Sequence, residues 1–224
     1  MSPSDRLRVF IPVDGHRRFA ESVLMPTGLF SSLREAKKHS YSLLIPVIQK
    51  IISHTIEHRM DHDLAFFIYS HGTQERDKEE LDDAWGEVLK SLPPLKDQLC
   101  QAGIELKLVG DIEDIYYPGA SKLLREVETE TRSQSRTPGR RVELYVHYSG
   151  KKELQNDTHH THFDGWEYDL VIRPGGEQRL SDGPLHLMTY SELVFQETLW
   201  PVYSGTDYDR AMEEFARRNR RFGK

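Results

Sequence analysis

Between residues 173 and 181 the sequence reads RPGGEQRLS, with two arginines around a glycine pair, a carboxylate and a terminal hydroxyl. A guanidinium presents paired N–H donors in one plane, which matches two oxygens of a phosphate. Arg173 and Arg179 are therefore candidates for holding a phosphorylated ligand. Gly175 and Gly176 let the backbone approach such a ligand closely, Glu177 lies between the arginines, and Ser181 adds a donor. A second set stands near the N-terminus, where DGHRR places Asp14, Gly15, His16, Arg17 and Arg18 after an apolar run. A helix starting there would offer free N–H groups to a second anion. Two such grips suggest two phosphorylated substrates. Asp14, Glu177 and Glu192 then supply the hard oxygen ligands that Mg²⁺ takes while it bridges to substrate phosphates.

These residues need elements that bring distant parts of the chain together. The runs RVFIPVDG, DLAFFIYSHG, ELKLVGD, VELYVHYSG, YDLVIRPGG and ELVFQ are nearly continuous in apolar character, as strands covered on both faces are. Helical periodicity lies between them. SYSLLIPVIQKIISHTIEH reads as a helix with a kink or a late start at Pro46. KEELDDAWGEVLKSL gathers Leu81, Ala84, Val88, Leu89 and Leu92 on one stripe. DYDRAMEEFARRNRRFG closes the chain, with Gly223 as its expected C-terminal cap. Strand and helix in alternation predict an α/β fold: a mostly parallel six-stranded sheet with helices on both faces, in a single domain over residues 1–224. Ligands of such sheets bind beyond the carboxyl ends of the strands. Here those ends read Asp14 to Arg18, Ser70-His71, Gly110-Asp111, His147 to Gly150 and Arg173 onward, a polar rim. TRSQSRTPGRR and KKELQNDTHHTHFDGWE read as loops.

The 224 residues carry a formal net charge of -6, so no overall basic field favours nucleic acid or an anionic membrane. No run of about 18 apolar residues spans a bilayer, and a cytoplasmic protein without stable membrane insertion is expected. The single cysteine, Cys100, excludes an internal disulfide and reads as a small buried side chain. Histidines 159, 160 and 162 with Asp164 are too close in sequence to read as one metal site. The basic ending ARRNRRFGK suits a helix C-terminus.

Taken in order, these segments resemble the cis-prenyltransferases, the undecaprenyl diphosphate synthase family. DLVIRPGGEQRLS, YSELVF, LWP and the closing RRNRRFG resemble that family's C-terminal signature. VFIPVDGHRRFA resembles its opening strand and Asp-Gly-Asn-x-Arg-Trp-Ala turn, and IYSHGTQER occupies the place of its Phe-Ser-x-Glu-Asn-x-x-Arg segment, keeping Ser70 and Arg76. The resemblance implies a homodimeric α/β enzyme with an apolar tunnel, condensing isopentenyl diphosphate with an allylic prenyl diphosphate under Mg²⁺. It implies Asp14, Arg18 and Glu192 as catalytic residues, with Asp14 and Glu192 at the metal. Gly15, His16 and Arg17 would hold the allylic diphosphate, and Arg173, Glu177, Arg179 and Ser181 the isopentenyl diphosphate. His39 would stand in for a phosphate-contacting histidine, while Arg221 and Gly223 would reach the neighbouring subunit.

The sequence departs from the family where the allylic partner and growing chain belong. His16 replaces asparagine, His71, Gly72 and Thr73 replace family residues after Ser70, and DGPLHL follows Ser181. A short or non-standard isoprenoid product is expected. Two alternatives stand beside it: a terpene synthase-like enzyme acting on one prenyl diphosphate, and an inactive partner subunit. The aspartate-rich box of trans-type synthases is absent, since Asp82-Asp83 is followed by AWGE.

Overall fold

The computed structural model describes residues 6–135, 140–155 and 167–220. Each apolar run forms a strand: β1 (Leu7–Pro12), β2 (His62–Ser70), β3 (Glu105–Val109), β4 (Arg141–Tyr148), β5 (Leu170–Arg173) and β6 (Glu192–Phe195). They form one sheet in the order β3-β4-β2-β1-β5-β6, every pair parallel. This is the expected α/β architecture. Successive strand residues face opposite sides. Val9, Ile11, Leu64, Phe66, Leu170 and Ile172 share one buried cluster with α3 (Leu44–Glu57), α4 (Lys78–Ala102), α5 (Ala120–Gln134) and α7 (Gly205–Ala216). The opposite face carries an aromatic layer of Phe10, Phe67, Tyr145, Tyr148 and Tyr168. Its described cover is thin: the short α6 (Gly150–Gln155), tied by Tyr148 to Glu153, and the turn around Leu187 and Met188. Helices lie on both faces, but unequally.

The helix boundaries follow local chemistry. α1 (His16–Phe19) begins at Gly15, and α2 (Leu33–Ser42) takes the start of the long apolar stretch. Pro46 falls in the first turn of α3, where its missing N–H is not needed; the late start is what occurs. α4 continues past Leu92, the last residue of the sequence stripe, and through Pro93 and Pro94. A proline inside a helix costs roughly 3 kcal/mol. Leu92, Leu95 and Leu99 on the continuing stripe are fully buried, each contributing about 1.5–3 kcal/mol, so packing carries the helix through. Trp85, not Ala84, is the buried residue of its middle turn. α5 extends to Gln134, so the expected loop begins only after it. Gly223 is not the cap expected of it, because α7 ends at Ala216 with Arg217 in the C-cap position. Its start is fixed by Ser204 and Asp207, each accepting the other's backbone N–H. Cys100 is buried, as expected. Among the described residues no helix is long and apolar enough to cross a membrane.

Candidate active site

β1 and β5 pair only at Val9 with Leu170 and Phe10 with Val171. Beyond those two rungs the strands separate. The chain leaves β1 for β2 on one side and β5 for β6 on the other, which makes this the switch point where α/β sheets hold ligands. A cavity of about 450 Å³ opens there. Asp14, Gly15, His16, Arg17, Arg18, Ser70, Arg76, Arg173, Glu177, Arg179 and Ser181 all line it. Sequence segments from both ends of the chain therefore meet at one place, with five arginines facing three carboxylates.

A row of alternating charges runs across the cleft. Arg173, with only 4% of its side chain exposed, donates from Nη2 to Asp14 Oδ2 at 2.5 Å. Burial lowers the Arg173 pKa and the charge of Asp14 opposes that shift; the guanidinium stays charged. Its buried Nε has no hydrogen-bond partner among the described residues. Asp14 Oδ1 accepts the Gly15 N–H at 2.6 Å, and its carbonyl accepts the Trp200 N–H at 2.9 Å. Arg18 bridges onward, with Nη2 3.3 Å from Asp14 Oδ2 and Nη1 3.3 Å from Glu177 Oε1. Arg179 closes the row on Glu177. Arg17 Nε lies 3.6 Å from Glu80, whereas Arg76 has no ion pair among the described residues. Ser70 shares a 2.8 Å hydrogen bond with Thr73.

Two glycines make the turn possible. Gly15 has φ +105, and a Cβ there would lie 2.8 Å from Leu199 Cδ2. Gly175 has φ +94, and a Cβ there would meet Arg18 Nη2 at 3.1 Å. Ser181 adopts φ 56, a region that non-glycine residues rarely occupy and that clusters at ligand sites.

His16 differs from a diphosphate donor. Its Nδ1 lies 2.9 Å from the Ser40 carbonyl, so Nδ1 carries the proton and donates. Nε2 is then a lone-pair acceptor, buried and without a partner among the described residues. Burial pushes the imidazole down to about 4, against the Ser40 hydrogen bond and the Asp14 charge.

The structure does not gather every expected residue. Glu192 is the first residue of β6, in register with Leu170 and so level with Val9. Asp14 lies five residues further along, about 16 Å at the usual strand rise. Glu192 faces Arg218, 3.3 Å away, so a metal shared with Asp14 inside one chain is not formed. His39 is exposed on α2 with its ring 5.2 Å from Phe30; its neighbour Ser40 is the residue that reaches the site. Arg221, Gly223 and the 159–164 segment lie outside the described residues. A smaller apolar cleft of about 50 Å³ shares Tyr41, Leu44, Tyr69 and Arg76 with the main cavity, and of its lining Tyr69 and Trp85 were not singled out from sequence. Leu81, Trp85 and Val88 of α4 wall it, and the Trp85 and Tyr69 rings lie 5.1 Å apart. The signal was present, since Trp85 shares a helix face with Leu81 and Val88.

Comparison with known proteins agrees with this fold. The family profile described as putative undecaprenyl diphosphate synthase matches residues 13–223, and the chain belongs to this family of prenyltransferases. An isoprenyl transferase of Aquifex pyrophilus is 29% identical over 80% of this chain and 83% of its own. A ditrans,polycis-undecaprenyl-diphosphate synthase of Legionella pneumophila, described as specific for farnesyl diphosphate, is 27% identical over 96% of this chain and 94% of its own. Among solved structures, lavandulyl diphosphate synthase from Lavandula x intermedia, in complex with dimethylallyl diphosphate, superposes with a TM-score of 0.75 at 22% identity, covering 97% of this chain and 98% of that one. A probable undecaprenyl diphosphate synthase from Campylobacter jejuni gives 0.70 at 20% identity, covering 98% and 99%. These two likenesses concern the fold.

Proposed function

We propose that the protein is a Mg²⁺-dependent prenyl-diphosphate transferase that joins isopentenyl diphosphate, or a second short isoprenoid diphosphate, to an allylic diphosphate. The observation that carries this reading is the contact of Asp14 with Arg173 at the parting ends of β1 and β5, inside a cavity rich in arginine. Ionisation of an allylic C–O bond places negative charge on the leaving diphosphate. Preplaced guanidiniums and helix N–H groups stabilise that charge better than water, which must reorganise. Arg17, Arg18 and the start of α1 would serve one diphosphate, and Arg173, Arg179 and Ser181 the other.

The donor set suits Mg²⁺. Among the described residues no group of three or more metal-ligating side chains exists, which argues against a protein-enclosed ion. Mg²⁺ instead takes one or two carboxylates and completes its shell with water and substrate phosphate. Asp14, partly exposed and facing the cavity, would hold it, and the ion would supply charge neutralisation at the leaving diphosphate.

The small apolar cleft supports a short product. Its volume is about 50 Å³ against about 450 Å³ for the charged cavity, and Tyr69 and Trp85 line it. Homodimerisation belongs to the same reading, supported by Leu154 and Leu185, which are exposed among the described residues of the segments beside the aromatic sheet face. The test is incubation of purified protein and Mg²⁺ with dimethylallyl, geranyl, farnesyl or geranylgeranyl diphosphate, with and without isopentenyl diphosphate, followed by mass spectrometry. Short coupled products are expected. Turnover of one allylic diphosphate alone would point to the terpene synthase alternative, and no turnover with any combination would overturn the enzymatic reading.

A further inference from the structure

The Glu177 carboxylate lies between two guanidiniums. Arg18 Nη1 is 3.3 Å from its Oε1, and Arg179 Nη1 donates to its Oε2. Both arginines are solvent-accessible and line the cavity, and among the described residues Arg179 has no other ion-pair partner. One carboxylate that gives an oxygen to each of two guanidiniums presents the acceptor pattern of a phosphoryl group. We propose that Glu177 is a resident stand-in for substrate phosphate, holding Arg18 and Arg179 turned into the cavity until a diphosphate displaces it from both. This rests on the prenyl-diphosphate reading of the cavity and assigns Glu177 a positioning role in it.

The charges explain why such a residue selects its ligand. Each exposed ion pair is weak on its own, so displacement is possible. Afterwards Glu177 stands beside an anion of its own sign, and that juxtaposition opposes binding. A single phosphate replaces the carboxylate without adding contacts. A diphosphate brings a second phosphoryl group, for which Arg17 and Arg76, lining the same cavity, supply further guanidiniums. Glu177 therefore suppresses monophosphate binding and hastens release of pyrophosphate after reaction.

The experiment is calorimetric titration of inorganic pyrophosphate and inorganic phosphate, at fixed salt and without added metal, into wild type, Glu177→Gln and Glu177→Asp. Glutamine keeps the shape and loses the charge, so pyrophosphate should bind about tenfold more tightly, and the preference for pyrophosphate over phosphate should shrink. Glu177→Asp should stay near wild type. In steady-state assays Glu177→Gln should lower KM and kcat together. Equal or weaker pyrophosphate binding by Glu177→Gln would overturn the proposal while leaving the diphosphate reading in place. Failure of the wild-type protein itself to bind pyrophosphate would overturn that reading, and this proposal with it.

Discussion

At the scale of single residues, the pairing of Asp14 with Arg173 decides how the site can be tested. Arg173 is nearly inaccessible, and removing the only carboxylate it touches among the described residues strands a buried charge, which costs about 3–5 kcal/mol in comparable cases. Asp14→Ala will therefore lose stability as well as activity. Asp14→Asn keeps an acceptor for Arg173 and removes the charge. We expect it to remain folded, with turnover reduced on the order of a hundredfold or more; near-normal rates would withdraw the assignment of Asp14. Gly15→Ala separates geometry from charge. It forces a side chain into a left-handed conformation and against Leu199, so a stability loss of about 1–3 kcal/mol with a matching loss of activity should appear in urea denaturation and steady-state assays.

At the scale of elements, the residues legible in sequence were those whose place is set by a strand end. Asp14 and Arg173 directly follow or close apolar runs, and such runs fix both position and direction, while Arg179 is carried by the glycine turn after Arg173. Glu192 shows the limit of that reading. It belongs to a strand motif, but only the register of β6 on β5 reveals that it stands at the amino end. His39 shows another limit, because which face of α2 turns inward depends on packing that no single sequence window contains. Only the second half of α4 went unread: the helical stripe taken from sequence ends at Leu92, and Leu95 and Leu99, which carry the helix on through Pro93 and Pro94, lie beyond it. Trp85 on that helix carries the element-scale prediction. Trp85→Ala should enlarge the apolar cleft and lengthen the product by one or more five-carbon units in mass spectra. It should also cost about 3–5 kcal/mol of stability. An unchanged product length in a folded Trp85→Ala protein would remove the tryptophan as the stop.

At the scale of the whole molecule, buried His16 and half-buried His62 tie stability to pH. His16 and His62 are each lowered from 6.5 to about 4, mainly by burial, with Arg140 adding to the effect at His62. Between those values the unfolded chain binds more protons than the folded one. Stability is therefore fully present above 6.5 and falls as the pH drops toward 4, by at most about 1.4 kcal/mol per pH unit for each histidine. Buried Asp63 and Glu143, both raised, act in the opposite sense, so His62 is best isolated by comparison with His62→Gln. The stability difference between wild type and that variant should shift against wild type on acidification; a constant difference would refute the assignment.

The central position of β1 also governs the order in which the protein can be completed during synthesis. Its β2 edge finds a partner early, but the edge beside β5 waits for residues near 170. At about 5–20 residues per second, Arg173 leaves the ribosome roughly ten to thirty seconds after Asp14. For that interval the nascent chain carries an open apolar edge at the heart of its future sheet. The cleft is thus among the last features to form, and a chain truncated before Leu170 would expose the same edge to any neighbour able to zip onto it.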